Sequence, residues 1–188
     1  MTVLPSLGYG VELIKLTPVG STTPFQGVMS YTAPFNKNID ASLEVGDSLS
    51  KATLELLEED NVPFRVQIQL ETSMSIQNEG PHLDLIDWRH CTTEWALIES
   101  TDDNTFQLPD FNDVNVDCFP AVTDEEIASE VMRVGGQEWV DIANGKGWPA
   151  GYRPISIELS RVRLKIEKFI EGEWSRVTVM NIAIPMGC

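Results

Sequence analysis

The alternation of apolar and polar residues is clearest in the last third of the chain. Apolar residues occupy every second position over 155–159, and again over 162–166 on the opposite parity. Because successive side chains of a strand point to opposite faces, this change of parity predicts one long strand with a bulge near Ser160. A Glu-Gly turn follows, and the alternating run 174–184 predicts a returning strand. The pattern therefore predicts a long C-terminal antiparallel hairpin.

The first half of the chain contains further runs that are typical of strands. Residues 9–17 and 25–33 flank a segment with two prolines and a glycine, which predicts a sheet edge or a hairpin. Residues 49–59 predict a helix, and residues 64–70 alternate as a strand. Three acidic residues follow at the end of that helix, where they oppose its dipole, so a β-hairpin through 58–63 is the alternative. Shorter β-like runs occupy 82–88, 93–100 and 104–109.

A capping box marks the start of a helix in the second half of the chain. Thr123 is a favourable N-cap residue, and Glu126 follows three positions later. The apolar stripe of this helix is formed by Ile127, Val131 and Val134. Together the elements predict an α+β fold in a single acidic domain, residues 1–188. It is dominated by antiparallel β-sheet, sandwich-like or half-barrel-like, with the long C-terminal β-hairpin and one or two helices around 123–144.

The net charge of the chain says more about its possible partners than the composition does. Hydrophobic residues make up 42% of 188 residues, which is enough for an ordinary core, but 29 acidic and 13 basic residues give a net charge of −16. A field of that sign repels phosphate backbones and anionic lipids and attracts basic surfaces. The sequence therefore predicts no direct nucleic-acid or membrane binding, and a basic protein partner or self-association instead.

The acidity is concentrated between Arg89 and Arg133, where eleven acidic residues occur without a single base. One interpretation is an acidic docking surface for a basic partner. Its predicted partner-binding residues are Glu99, Asp102, Asp103, Asp110, Asp113 and Asp117. The alternative is a solvated loop that leads into a helix whose acidic first turn complements the helix dipole.

The loop 110–124 also has the spacing of a calcium-binding loop. Oxygen ligands at positions 1, 3, 5 and 12 would be Asp113, Asn115, Asp117 and Asp124. The match is incomplete, because Cys118 stands where such loops require a glycine. A calcium cofactor at these four residues is accordingly the alternative prediction, and no cofactor is the main one.

Two histidines and a carboxylate form a second candidate metal site. His82, Asp84 and His90 share a face if their segment is one strand, but His90 comes eight positions after His82, which would hold the histidines too far apart for one metal. Only a tight turn between Asp84 and His90 would bring them together. His90 and Cys91 are adjacent, so a strand would point them to opposite faces and separate a nucleophile from its base.

The three cysteines, Cys91, Cys118 and Cys188, are widely spaced and include no CxxC motif. This spacing favours reduced thiols and a cytoplasmic location. The sequence contains no apolar run long enough to span a bilayer. It also lacks nucleotide-binding, serine-hydrolase and zinc-protease motifs.

Basic residues are scarce but three of them, Arg161, Arg163 and Lys165, alternate on one face of the predicted C-terminal strand. They predict either a solvated cationic ladder or a ladder that pairs with acidic residues of the same or another copy. The five tryptophans are dispersed, which favours core packing over a ligand platform.

The sequence favours a non-enzymatic acidic interaction protein, such as an inhibitor, immunity-type protein, adaptor or assembly subunit. The alternative is a metal-dependent enzyme or cation-binding protein that uses the loop 110–124.

Overall fold

Within the residues that it describes, the computed structural model of this protein contains two β-sheets, in which antiparallel pairing dominates, and two helices. The structure describes residues 11–20, 29–33, 36–58, 62–102, 104–111 and 118–186. Its first seven strands are β1 Val11–Gly20, β2 Met29–Ala33, β3 Lys37–Ser42, β4 Asp47–Leu57, β5 Phe64–Ile76, β6 Leu83–Asp84 and β7 His90–Thr92. The remaining elements are β8 Ala96–Ile98, β9 Ser100–Asp102, β10 Thr105–Gln107, α1 Asp124–Gly135, α2 Gln137–Ala143, β11 Ile155–Ile170 and β12 Glu173–Ala183.

The first sheet has five strands in the order β2-β1-β4-β10-β9 within the described part of the chain. The second has seven, in the order β3-β12-β11-β5-β6, with β7 and β8 also paired to β5. The predicted N-terminal hairpin is confirmed, since β1 pairs antiparallel with β2. The predicted antiparallel-sheet-dominated α+β fold and its long C-terminal hairpin, β11 and β12, are confirmed as well.

The predicted helix at 49–59 is wrong, because this segment is strand β4. Its buried residues Ala52, Leu54 and Leu56 recur every second position, the period of a strand. Lys51 has a φ of 60°, which shifts the parity between Leu49 and Ala52 and hides that period in the sequence. The alternative hairpin with β5 is also absent, since β4 pairs with β1 and β10 and β5 belongs to the other sheet.

The capping box of α1 is confirmed. The backbone amide of Glu126 donates to Thr123 Oγ1 at 3.2 Å, and the amide of Thr123 donates to Glu126 Oε2 at 2.9 Å. Val134, predicted to belong to the buried stripe, is exposed one residue before the helix ends. The core beneath the helices consists of Met74, Ile76, Leu85, Ile127, Val131, Val140 and Ala143.

The chain clusters into two compact units. Unit 1 comprises residues 1–69, 95–113 and 163–182, and unit 2 comprises residues 70–94, 114–162 and 183–188. Unit 1 contains the five-stranded sheet, whose largest buried side chains include Ile14, Leu16 and Phe106. Unit 2 contains α1, α2 and their core. Within the described residues, neither helix has the length and apolar character needed to cross a membrane.

Candidate interaction surfaces

The acidic residues predicted to bind a partner have different surroundings. Glu99 and Asp102 are exposed, next to and within β9, which is the last strand of the five-stranded sheet among the residues that the structure describes. Asp110 is exposed too, but Lys51 Nζ lies 2.7 Å from Asp110 Oδ2, and Ser50 Oγ donates to Asp110 Oδ1 at 3.0 Å. The hydrogen bond with Asp110 raises the pKa of Lys51. The other three predicted residues, Asp103, Asp113 and Asp117, lie outside the described residues.

Basic residues from outside the segment between Arg89 and Arg133, which contains no base, contact acidic residues within it. Besides Lys51, Arg153 donates to Asp124, and Arg89 Nη2 donates to Glu126 Oε1 at 3.0 Å. Some carboxylates between Arg89 and Arg133 are therefore neutralised, although the sequence contains no base in that segment. Glu99 and Asp102 are the predicted docking residues located at strand β9, and both are exposed.

Of the four predicted calcium ligands, Asp113, Asn115 and Asp117 lie outside the described residues. Asp124 is the first residue of α1, where its carboxylate complements the helix dipole and accepts a hydrogen bond from Arg153. Its side chain is therefore already bound to a cation of this chain. Among the residues that the structure describes, no group of three histidine, cysteine or acidic residues is arranged to hold a metal ion.

The segment around the two histidines is not one uninterrupted strand. It forms two short strands, β6 and β7, with a turn between them, and both pair antiparallel with β5. Asp84 lies opposite Ser75 and accepts a hydrogen bond from its Oγ at 2.7 Å, while His90 lies opposite Ser73. His82 Nδ1 is buried without a hydrogen-bond partner. The turn brings Asp84 and His90 to neighbouring positions along β5, as a shared metal would require, but they form part of no metal-binding group in the described chain.

Cys91 and Cys118 form a disulfide, with their Cα atoms 5.5 Å apart. The expectation of reduced thiols is therefore wrong for this pair. The two cysteines are 27 residues apart in the sequence, and Cys91 lies on β7, opposite Thr72 of β5. No sequence motif marks two cysteines at this separation as a disulfide pair. The third cysteine, Cys188, lies outside the described residues.

The predicted cationic ladder on β11 has internal partners. Arg161 Nη1 donates to Glu71 Oε1 at 3.0 Å, and this carboxylate is only 3% exposed. Arg163 Nη1 donates to Gln69 Oε1 at 3.1 Å. Lys165 Nζ lies 4.8 Å from the ring centroid of Trp95, a cation–π contact. The ladder was predicted to be either solvated or paired with acidic residues. For Arg161, the structure shows pairing with an acidic residue of the same copy.

Lys165 belongs to a larger surface within unit 1, which we call the cationic–aromatic face. It consists of Arg65, Trp95, Leu97, Lys165, Trp174 and Arg176. The register of β5 with β8 sets Gln67 opposite Leu97, so Leu97 and Trp95, two residues earlier, share one side of the sheet with Gln67 and Arg65. The guanidinium of Arg65 lies 4.8 Å from the Trp174 ring, and Arg176 is two residues further along β12.

The charges on this face are held in place by their neighbours. Arg65 Nε donates to Glu167 Oε2 at 2.6 Å, and this hydrogen bond raises the pKa of Arg65, so the guanidinium stays charged. Phe169 packs edge-on against Trp174 with ring centroids 5.2 Å apart. The prediction that tryptophans serve the core does not hold for Trp174, which is 38% exposed.

Sequence reasoning missed this face because its two halves are about one hundred residues apart. The available signal was the run of polar residues at Arg65, Gln67 and Gln69, which alternates with the buried Val66 and Ile68. That pattern predicts a solvent-facing side of β5, but not the cations that β11 and β12 add to it.

Comparison with known proteins identifies no relative from which a function could be transferred: no family model, curated protein or solved structure matches this chain.

Proposed function

We propose that this protein is a non-enzymatic interaction protein, of the inhibitor, immunity-type, adaptor or assembly-subunit kind, that engages a basic surface through exposed carboxylates. The observation that supports this most directly is the position of Glu99 and Asp102. Both are exposed at an edge strand of a chain whose net charge is −16. Charged side chains at a sheet edge discourage backbone pairing with other chains, so contact there occurs through side-chain charge.

Such a surface affects mainly which partner is recognised and how fast it associates. Complementary charges steer a partner into place and exclude partners of the same sign, while contributing less to the affinity itself. Carboxylates at an exposed edge are desolvated only when the partner arrives, so they cost the free protein little. Contact energy is then supplied by the partner's lysine or arginine side chains.

The test uses a synthetic lysine-rich peptide as the basic surface. The double variant E99Q/D102N should bind this peptide at least about tenfold more weakly than the wild type at low ionic strength. The matched control E44Q/E79Q removes two other exposed carboxylates and gives the same net charge. Equal weakening of binding in both variants would show that only net charge matters, and the proposed docking role of Glu99 and Asp102 would be lost.

The disulfide supports an oxidising compartment in place of the cytoplasm that the sequence predicted, because glutathione keeps cytosolic thiols reduced. Alkylation of the protein in its source cells, followed by mass spectrometry, tests this. Quantitative alkylation of Cys91 and Cys118 without prior reduction would place the protein in a reducing compartment after all.

A further inference from the structure

The cationic–aromatic face has the opposite sign from the rest of the chain. Three of the 13 basic residues, Arg65, Lys165 and Arg176, belong to it, and the carboxylate that pairs with Arg65 is that of Glu167, whose side chain is only 11% exposed. Arg163, two residues before Lys165 on β11, adds a fourth cation beside the face. In a protein of net charge −16, this concentration makes the face attractive to an acidic surface.

The face also exposes apolar area that the fold leaves uncovered. Leu97 is 61% exposed and Trp174 is 38% exposed, and Phe169, which packs against Trp174, is 40% exposed. Tryptophan and arginine are the residues most enriched among those that dominate protein–protein binding energy. Each of the two tryptophans on the face already has a cation against its ring, so these large side chains are ordered before any partner binds.

The carboxylates of the proposed function lie close to this face along the chain. Leu97 is part of the face, Glu99 follows two residues later, and Asp102 ends β9. A two-fold rotation can set an acidic site of one copy against a basic face of the other, and the same contact then forms twice.

We propose that the cationic–aromatic face binds a second copy of this chain, with Glu99 and Asp102 of each copy against Lys165 and Arg176 of the other. This dimer rests on the proposed function, in which those carboxylates engage a basic surface, and the basic surface is here the cationic–aromatic face of the second copy. A nucleic acid is the less suitable acidic occupant, because the net charge of −16 repels a phosphate backbone. A second copy supplies both the complementary carboxylates and a matching apolar contact.

Sedimentation at about 0.15 M salt tests the proposal, over concentrations up to about 100 μM. The wild type should form dimers, and K165E/R176E should weaken the dimer at least about tenfold. The matched control R133E/K146E reverses two exposed cations of unit 2 and changes the net charge equally, and it should dimerise as the wild type does.

A mixing experiment guards against loss of folding in K165E/R176E. The variant E99K/D102K should also be monomeric alone, and mixing it with K165E/R176E should restore a 1:1 dimer, since reversed charges then face each other across one interface. A monomeric wild type, equal weakening in the R133E/K146E control, or no dimer in the mixture would overturn the proposal. Binding of the lysine-rich peptide through Glu99 and Asp102 by a monomeric wild type would leave the proposed function intact while removing this inference.

Discussion

Replacing Lys168 by methionine should destabilise the protein strongly. Lys168 Nζ lies 2.9 Å from Glu58 Oε1, and the two side chains are only 5% and 7% exposed. The second carboxylate oxygen of Glu58 is buried without a hydrogen-bond partner. In K168M the carboxylate would lose its cation and remain in an apolar setting, beside Phe64, whose ring centroid lies 6.0 Å from Lys168 Nζ in the wild type.

The expected loss for K168M is about 3 to 5 kcal/mol of unfolding free energy, the usual cost of leaving one member of a buried ion pair uncompensated. The double variant E58Q/K168M should recover most of this loss, because a neutral amide and a thioether remove both desolvated charges together. The ion pair itself therefore adds little net stability, although breaking it is costly.

Urea unfolding followed by circular dichroism measures both variants. The midpoint for K168M should fall without a change in the dependence on denaturant concentration, which would show that stability and not compactness has changed. A matched control is R133M, which breaks the pair between Glu130 and the solvent-exposed Arg133 and should cost about 1 kcal/mol or less. If K168M cost no more than R133M, or if E58Q/K168M were as unstable as K168M, the reasoning about uncompensated buried charge would be refuted.

Three further changes test other parts of the structure. Replacing Cys91 and Cys118 with serine opens a loop closed over a separation of 27 residues and should lower the unfolding free energy by about 3.5 kcal/mol. The urea midpoint should fall accordingly, and an unchanged midpoint would contradict a stabilising disulfide. T123A removes the N-cap of α1 and should cost about 1 kcal/mol, whereas T123S should cost little, and equal losses would argue against the cap. The hydrogen bond from Lys146 lowers the pKa of Asp141, so this pair stabilises the fold above the unfolded-state pKa and ceases to do so as the pH falls through the folded-state value. The melting temperature of D141N should therefore fall less steeply below about pH 4 than that of the wild type, and parallel curves would exclude the pair as a source of acid sensitivity.

How far the fold could be predicted depended on whether its determinants are local. The hairpin of β11 and β12 and the start of α1 follow from alternation, a turn and a capping box, which all lie within a few residues of one another. Strand β4 was missed because one residue with a positive φ, Lys51, interrupts its period of two. Its strand conformation depends on hydrogen bonds with β1 and β10, which are distant in the sequence.

The candidate surfaces were harder to predict than the fold because charge neutralisation is a property of the folded surface. A stretch of the chain without bases indicated a continuous acidic region, yet Lys51 reaches Asp110 and Arg153 reaches Asp124. Conversely, the cationic–aromatic face adds Arg65 of β5 and Arg176 of β12 to Lys165 of β11, and of these three only Lys165 belongs to a basic run in the sequence.

This redistribution of charge changes what the acidity implies. A uniformly acidic protein would repel further copies of itself at every orientation, and its charge would serve solubility alone. Here the fold leaves Glu99 and Asp102 exposed at one edge and gathers Arg65, Lys165 and Arg176 on a face close by in the chain. In the proposed dimer, repulsion between copies would dominate in most orientations and would give way to attraction when the edge of one copy meets the face of another. The large net charge would thus make the proposed association selective for one geometry, since most other approaches bring like charges together.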